Sequence, residues 1–415
     1  MRDQLIVISS NAKFLFRDEQ VIIFNRTNRQ WLKLSKQCYE IIMNYNNHTV
    51  DELMNDLVDD EDRDYMKKVL DALNSMNLLH VQETKRKLHD VSFAVSNRCN
   101  LKCKHCMVSA DSCSKEENFS TKQIKESFDK IIKADPELIT VTGGEPLVRT
   151  DFAEIITYLR EHYDGKIGLM TNATLINKSN VDVIVNSVDN ISISLDGATP
   201  KTVELIRGKG VYEKVLESIK LLQDKHFEDI SVSMVVTADN EFYIDEFISL
   251  CKGMNCEPIL RVLSIAGEAA NNKELLSKQQ LSTENRSNIG TEKKSSSEEY
   301  RFYTCSCDAG ATTLTIENDG NIYPCNLFVE SEYCLGNILD VDELTGLLQK
   351  HPHKFLSECL LEYEPEQIRE CKGCDLAYFC WSCLHEVLEL RNTRGVAHKC
   401  KYAKKYYNNV WSKGE

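Results

Sequence analysis

Apolar positions recur along the chain with two different periods, and the change from one to the other marks its organisation. Over the first 85 residues, short β-like runs at Leu5 to Ile8 and Val21 to Asn25 precede apolar residues spaced three and four apart from Leu34 to Tyr45. A second helical stretch opens at Thr49, with Asp51 and Glu52 in its first turn, and a third runs from Glu61 to Leu78. This predicts a small winged-helix-like unit. From residue 90 onward, strand-like runs stand at Val91 to Val95, Leu138 to Val141, Ile167 to Met170, Ile191 to Leu195, Ile230 to Val236 and Ile259 to Leu263. Amphipathic stretches lie between them, among them Thr121 to Lys133, Asp151 to Tyr163, Tyr212 to Gln223 and Phe242 to Cys251. Six alternations of strand and helix predict a parallel sheet with right-handed crossovers, hence an α/β fold built as a (β/α)6 partial barrel. Its chemistry is expected at the carboxyl ends of the strands. The pattern breaks between residues 271 and 300, a run rich in Asn, Ser, Lys, Gln and Glu that reads as a linker or surface insert.

The 415 residues, 42% apolar and 27% charged, suffice for two or three domains with sizeable cores. Fifty basic against sixty-four acidic side chains leave a net charge of -14, which argues against a phosphate backbone as partner and so against a DNA-binding winged helix. The acidic run from Asp59 to Asp62 reads as a solvated helix start. No apolar run is long enough to span a bilayer, and the first thirteen residues lack the apolar stretch of a signal peptide, so a cytoplasmic protein without a membrane partner is expected. Seventeen cysteines in a reducing compartment then point to metal rather than to disulfides.

Cys99, Cys103 and Cys106 follow the first strand of the repeating region at x3 and x2 spacing. Scattered at random, a given cysteine would have partners at both offsets roughly once in six hundred times. Three thiolates leave one iron of a four-iron cluster open to bind and reduce a small molecule. A structural zinc site closes with four ligands, and His105, between two of the cysteines, is poorly placed to supply the fourth. The next strand ends in Thr142-Gly143-Gly144-Glu145-Pro146, where two glycines admit a ligand close to the backbone and a carboxylate can meet an ammonium.

These motifs, with Ser192-Ile-Ser194-Leu-Asp196-Gly197 and Arg207-Gly208 downstream, resemble the radical S-adenosylmethionine superfamily. The resemblance implies that Cys99, Cys103 and Cys106 hold a [4Fe-4S] cluster whose open iron chelates S-adenosylmethionine. It further implies that Gly143, Gly144 and Glu145 meet the methionine amino group, and that Ser194 and Arg207 meet its carboxylate side. The product is a 5'-deoxyadenosyl radical that abstracts a substrate hydrogen. His105 and Met107 stand where aromatic residues are frequent in that family.

The carboxyl-terminal series, Cys307, Gly320 to Cys325, Cys371-x2-Cys374-x5-Cys380-x2-Cys383 and Cys400, contains a block that a four-thiolate zinc knuckle could also explain. As a whole it resembles the SPASM extension, which implies two auxiliary [4Fe-4S] clusters and three clusters in all. By position, Cys371, Cys374, Cys380 and Cys400 would hold the distal one, and Cys307, Cys325 and Cys383 the nearer one, with Cys305 as its fourth ligand. The last pair is spaced x2 where x3 is usual, and Cys305 lies only two positions before Cys307; an open iron there would be free to bind a substrate thiolate. The amino-terminal unit resembles the leader-recognition domain of enzymes that tailor ribosomal peptides, similar to the peptide chaperone of pyrroloquinoline quinone synthesis, which captures a leader as an added strand. The expected domains are therefore 1–85 for leader recognition, 90–265 for the radical core, 266–304 for a bridging insert and 305–415 for the Cys-rich SPASM region. The expected function is a peptide maturase of the sactipeptide or ranthipeptide type, installing a Cys thioether in a precursor peptide and drawing electrons from a flavodoxin or ferredoxin. Carbon–carbon or aryl cross-linking is the alternative, and a zinc-dependent binding module the non-enzyme reading. Anaerobic sulfatase maturation fits less well, because Asn326 stands where those enzymes carry a proton-accepting Asp. No general base stands out. Cys38 and Cys251 read as core residues. Cys113, Cys256, Cys334 and Cys359 lack partners at diagnostic spacing, and His385-Glu386 lacks the second His of a zinc protease.

Overall fold

Antiparallel pairing organises the amino-terminal segment: β1 (Ala12–Arg17), β2 (Gln20–Asn25) and β3 (Trp31–Ser35) form one sheet in the order β1-β2-β3. The computed structural model describes residues 4–26, 28–79, 87–110, 116–237, 239–264, 266–272, 304, 307–349, 358–380, 383–385, 388, 400, 404 and 407–412. Helix α1 (Lys36–Asn44) is capped by Ser35, α2 (Val50–Asp56) by a Thr49/Glu52 capping box, and α3 (Asp60–Ser75) by Asp59. The continuous apolar run Val21 to Phe24 is explained by burial of β2 on both faces. Ile23 joins the helix-side core with Leu34, Ile42, Leu53 and Leu73, whereas Ile22 and Phe24 pack against Leu376, Tyr378, Phe379 and Trp411. The buried Arg26–Glu364 pair, at 2.8 Å, and the Arg17–Asp375 pair tie the same segments together. Two expectations are corrected here. Leu5 to Ile8 is no strand but makes two isolated bridges, Leu5 to Thr49 and Ile8 to Leu79. Leu34 lies within β3 rather than opening a helix, because Ser35 ends the strand and caps α1.

The second unit holds the repeating region. Strands β4 (Asp90–Ala94), β5 (Leu138–Thr142), β6 (Lys166–Thr171), β7 (Asn190–Ser194), β8 (Ile230–Val236) and β9 (Glu257–Val262) are parallel neighbours in that order. They alternate with α4 (Thr121–Lys133), α5 (Phe152–His162), α6 (Val181–Ser187), the pair α7 (Pro200–Arg207) and α8 (Val211–Asp224), and α9 (Ile244–Gly253). The sheet does not stop at β4. Residues Thr313–Ile316 form β10, parallel to β4, and β11 (Asn321–Tyr323) and β12 (Gly336–Asn337) continue it antiparallel, giving nine strands among the described residues. The region expected as a single domain from residue 305 is therefore shared: residues 312–350 belong with the barrel strands, and residues 351–415 with residues 1–86 and 294–311.

Register separates two faces. Val91, Phe93, Ile139, Val141, Ile191 and Ile193 lie in the large apolar core with residues of the crossover helices. The opposite face carries the row partners Ser92 and Thr140, Ser192 and Ser231, and Ser194 and Ser233. Among the described residues, no helix is long and apolar enough to cross a membrane.

Candidate active site

The loop after β4 holds Cys99, Cys103 and Cys106 as half-buried free thiols. A turn, with the Cys106 N–H donating to the Cys103 carbonyl at 3.2 Å, brings the last two together. Burial, opposed by the Leu101 N–H and reinforced by the charges of Glu145, Cys103 and Cys106, pushes the Cys99 thiol up to about 11, so the three sulfurs sense one another. Burial also raises Cys103, against the pull of Arg207. Raised in this way, Cys99 and Cys103 are poor as bare thiolates and suited to a bound cation. With Cys106 they fit the three-thiolate donor set of an iron–sulfur cluster. Among the described residues no three Cys, His, Asp or Glu side chains converge at bound-metal spacing, so the fit rests on donor chemistry. Among the described residues, three buried polar atoms at strand ends also lack hydrogen-bond partners: Asn97 Oδ1 after β4, Thr237 Oγ1 after β8 and Ser264 Oγ after β9.

The two glycines after β5 serve the cysteine loop directly. A Cβ on Gly143 would lie 2.6 Å from the Ser96 carbonyl oxygen, and one on Gly144 would lie 2.4 Å from that of Arg98. The backbones meet there through hydrogen bonds from the Gly144 N–H to Ser96 and the Glu145 N–H to Arg98, both 2.8 Å. Glu145 is fully buried. Its Oε1 accepts from the Thr171 hydroxyl at 2.7 Å and the Leu147 N–H at 3.1 Å, and its Oε2 from the Asn172 N–H at 2.7 Å. Burial pushes this carboxyl up and the donors oppose it. The carboxylate expected to meet an ammonium is thus engaged by donors of this chain, tying the end of β5 to that of β6.

Behind the cysteine loop sits a buried charge network. Asp196, in the left-handed region at φ +67, accepts from the Val235 N–H at 2.6 Å and meets His105 Nε2 at 2.5 Å and Arg207 Nε at 2.6 Å. Burial alone would raise its carboxyl; Arg207 and His105 override it and hold Asp196 well below the usual carboxylate range. Arg207 Nη1 in turn lies 3.8 Å from Cys103 Sγ. The expected cofactor residue Arg207 is therefore shared between Asp196 and a thiol, and Ser194 stands half-buried at the end of β7. His105 takes part as the partner of Asp196. Sequence reading quoted Asp196 without a role, and no sequence signal marked Asn97, Thr237 or Ser264.

Of the expected auxiliary ligands, Cys307, Cys371, Cys374, Cys380, Cys383 and Cys400 lie in the first unit and Cys325 in the second, all half-buried. Cys371 and Cys374 share a turn, the Cys374 N–H donating to the Cys371 carbonyl at 2.9 Å. Cys305, Cys113 and the insert from residue 273 lie outside the described residues.

Residues 93–251 match the radical SAM superfamily, and residues 305–375 match the SPASM iron–sulfur cluster-binding domain. The chain belongs to the radical SAM proteins that carry a SPASM domain. A radical SAM domain binds S-adenosylmethionine and a [4Fe-4S] cluster, and a SPASM domain binds auxiliary iron–sulfur clusters. The mycofactocin maturase MftC of Mycolicibacterium smegmatis is 26% identical over 302 residues, covering 68% of this chain and 74% of the relative. The fold of this radical SAM protein is shared with Streptococcus suis SuiB bound to S-adenosylmethionine, at a TM-score of 0.54 and 17% identity over 94% of this chain and 98% of that one. SuiB bound to its precursor peptide SuiA gives 0.52 and 17%, over 93% and 97%.

Proposed function

We propose that this radical SAM protein modifies a ribosomally made precursor peptide, joining a cysteine sulfur to an unactivated carbon as a thioether. The observation that carries the reading is the cysteine loop itself, three half-buried thiols at a strand's carboxyl end backed by Arg207 and Asp196. In this reading Cys99, Cys103 and Cys106 hold the cluster, and the Arg207 guanidinium offsets the negative charge on Cys103. Gly143 and Gly144 let the β5 loop lie against the cysteine loop, with carbonyls available to a methionine amino group. Glu145 fixes that loop, and Ser194 offers a hydroxyl to the carboxylate side. Bound S-adenosylmethionine, given one electron from a flavodoxin or ferredoxin, would supply a radical that removes a substrate hydrogen; the cysteine would lose its thiol proton as sulfur joins the carbon, and the surplus electron would pass to the nearer auxiliary cluster.

The remaining assignments follow the expected ligand sets: Cys371, Cys374, Cys380 and Cys400 for a distal cluster; Cys307, Cys325, Cys383 and Cys305 for a nearer one. Residues 1–86, three strands followed by three helices, are assigned to leader capture; the likeness to a peptide maturase by sequence and to a precursor-bound enzyme by fold supports this. Tethering the leader raises the effective concentration of the segment to be modified.

The test is anaerobic reconstitution followed by co-expression with short Cys-containing open reading frames neighbouring the gene. The expected product is about 2 Da lighter per linkage, with the cysteine no longer alkylated by iodoacetamide. A lighter peptide whose thiol remains free would refute the thioether and indicate carbon–carbon joining. Replacing Cys99, Cys103 and Cys106 together by Ala should abolish 5'-deoxyadenosine while auxiliary iron remains; retained cofactor cleavage would sink the cluster assignment.

A further inference from the structure

On the polar face of the parallel sheet, Asp90, Lys166 and Glu257 stand at the amino ends of β4, β6 and β9, and the charged side chain near a carboxyl end is one that none of the assignments above uses. Arg261, near the carboxyl end of β9, pairs in register with Val235 of β8, and Ser233, two residues earlier on β8, pairs with Ser194 of β7. Arg261 thus shares a face with those serines. Extended along the rows, Val235 also receives Asp196, whose Oδ1 accepts the Val235 N–H. Arg261 is half-buried, and among the described residues its guanidinium has no hydrogen bond and no ion pair within 4 Å. Desolvation pulls it below the usual arginine value while the charge of Asp196 pulls it back.

Asp196 does not satisfy it. Both carboxylate oxygens are already taken, Oδ1 by Val235 and Oδ2 by His105 and Arg207. A desolvated guanidinium without a partner is costly unless an anion arrives to meet it. The same two strand ends hold buried hydroxyls that also lack partners, Thr237 Oγ1 and Ser264 Oγ. One fork of N–H donors beside small hydroxyls matches a planar, singly charged carboxylate. No second basic residue ends a strand on this face to compensate a doubly charged phosphate: the last residues there are Ala94, Thr142, Met170, Ser194 and Val235.

We propose that Arg261 is the carboxylate-binding group at the mouth of the sheet, taking the carboxylate either of the methionine moiety of S-adenosylmethionine or of the peptide substrate. Arg207, shared between Asp196 and Cys103, then positions the cysteine loop, and Arg261 receives the ligand. The inference rests on the reading that cofactor and peptide meet on this face.

Phenylglyoxal labelling of the anaerobically reconstituted protein, with Arg261 followed by peptide mass mapping, tests it. Arg261 should label in the absence of ligand and at least fivefold more slowly with a carboxylate probe. Protection by S-adenosylmethionine but not by its decarboxylated form assigns the methionine carboxylate. Protection by acetyl-Gly-Glu-Gly amide but not by its Gln counterpart assigns the peptide. The protecting probe should bind about tenfold more weakly to Arg261→Gln, with Arg261→Lys intermediate. If S-adenosylmethionine perturbs the cluster's paramagnetic spectrum and no carboxylate probe slows labelling, the inference is overturned. If that spectrum is absent, the radical SAM reading fails instead, and the two tripeptides still decide whether Arg261 binds a carboxylate.

Discussion

Replacing Glu145 by Gln separates two roles that the sequence motif leaves together: ligand contact and internal tie. In the structure, Oε1 accepts from Thr171 and Leu147 and Oε2 from Asn172. The Thr171 hydroxyl itself accepts from the Ala173 N–H at 2.9 Å, so its proton must go to Glu145. All three neighbours donate, which favours the ionised carboxylate against the burial that pushes its pKa up. A glutamine presents one amide nitrogen, which in either orientation faces an N–H or O–H donor. One buried donor left unsatisfied costs about 1–3 kcal/mol, and the loss of charge assistance at the others adds to it. The sum is about 3 kcal/mol, which for a unit of this size lowers the melting temperature by about 6–12 °C. Calorimetry of the cofactor-free protein reads this directly, because the tie exists without ligand. If Glu145 instead acts only by meeting an ammonium, the cofactor-free protein melts as wild type and only cofactor affinity falls. A transition shifted by less than about 2 °C would refute the argument from burial and donors.

Two further outcomes follow from the same loops. Gly144→Ala places a Cβ against the Arg98 carbonyl oxygen, backbone against backbone, so the cysteine loop must move. It should cost about 1–3 kcal/mol and lower the iron bound at Cys99, Cys103 and Cys106, read by iron analysis on a variant whose auxiliary cysteines are intact. Asp196→Asn leaves Arg207 buried without its full countercharge, a loss of about 3–5 kcal/mol in melting experiments. An unchanged melting temperature would mean that the thiols, not Asp196, hold Arg207.

The legible parts of this protein are those whose signal is local. Six apolar runs located β4 to β9 to within a residue or two, since one face of each strand is apolar, but for Thr171 at the end of β6, and its crossovers are amphipathic helices. The three thiols were legible because a loop of eight residues contains them all. Where both faces of a short strand are covered, alternation disappears: Phe14 packs on the helix side of β1 and Leu15 on the other, so Ala12–Arg17 carried no periodic signal. Strand β10, four residues long, is defined by pairing with a strand more than two hundred positions earlier.

The same distinction governs the chemistry. His105 and Asp196 are 91 positions apart, and Glu145 and Thr171 are 26 apart, so neither pairing could be read from spacing. The motif names the residues, but the tertiary register decides their work. Glu145 and Arg207, both quoted for ligand contact, are held by other side chains of the fold, while Arg261, inside the strand sequence Glu-Pro-Ile-Leu-Arg-Val, resembles a stray charge. Only when β7, β8 and β9 are laid in register do Ser194, Ser233 and Arg261 share one face, with the charge of Asp196 already taken. Residues that a fold has already paired stabilise a site, and those it leaves desolvated and unpaired are where a ligand gains most by arriving.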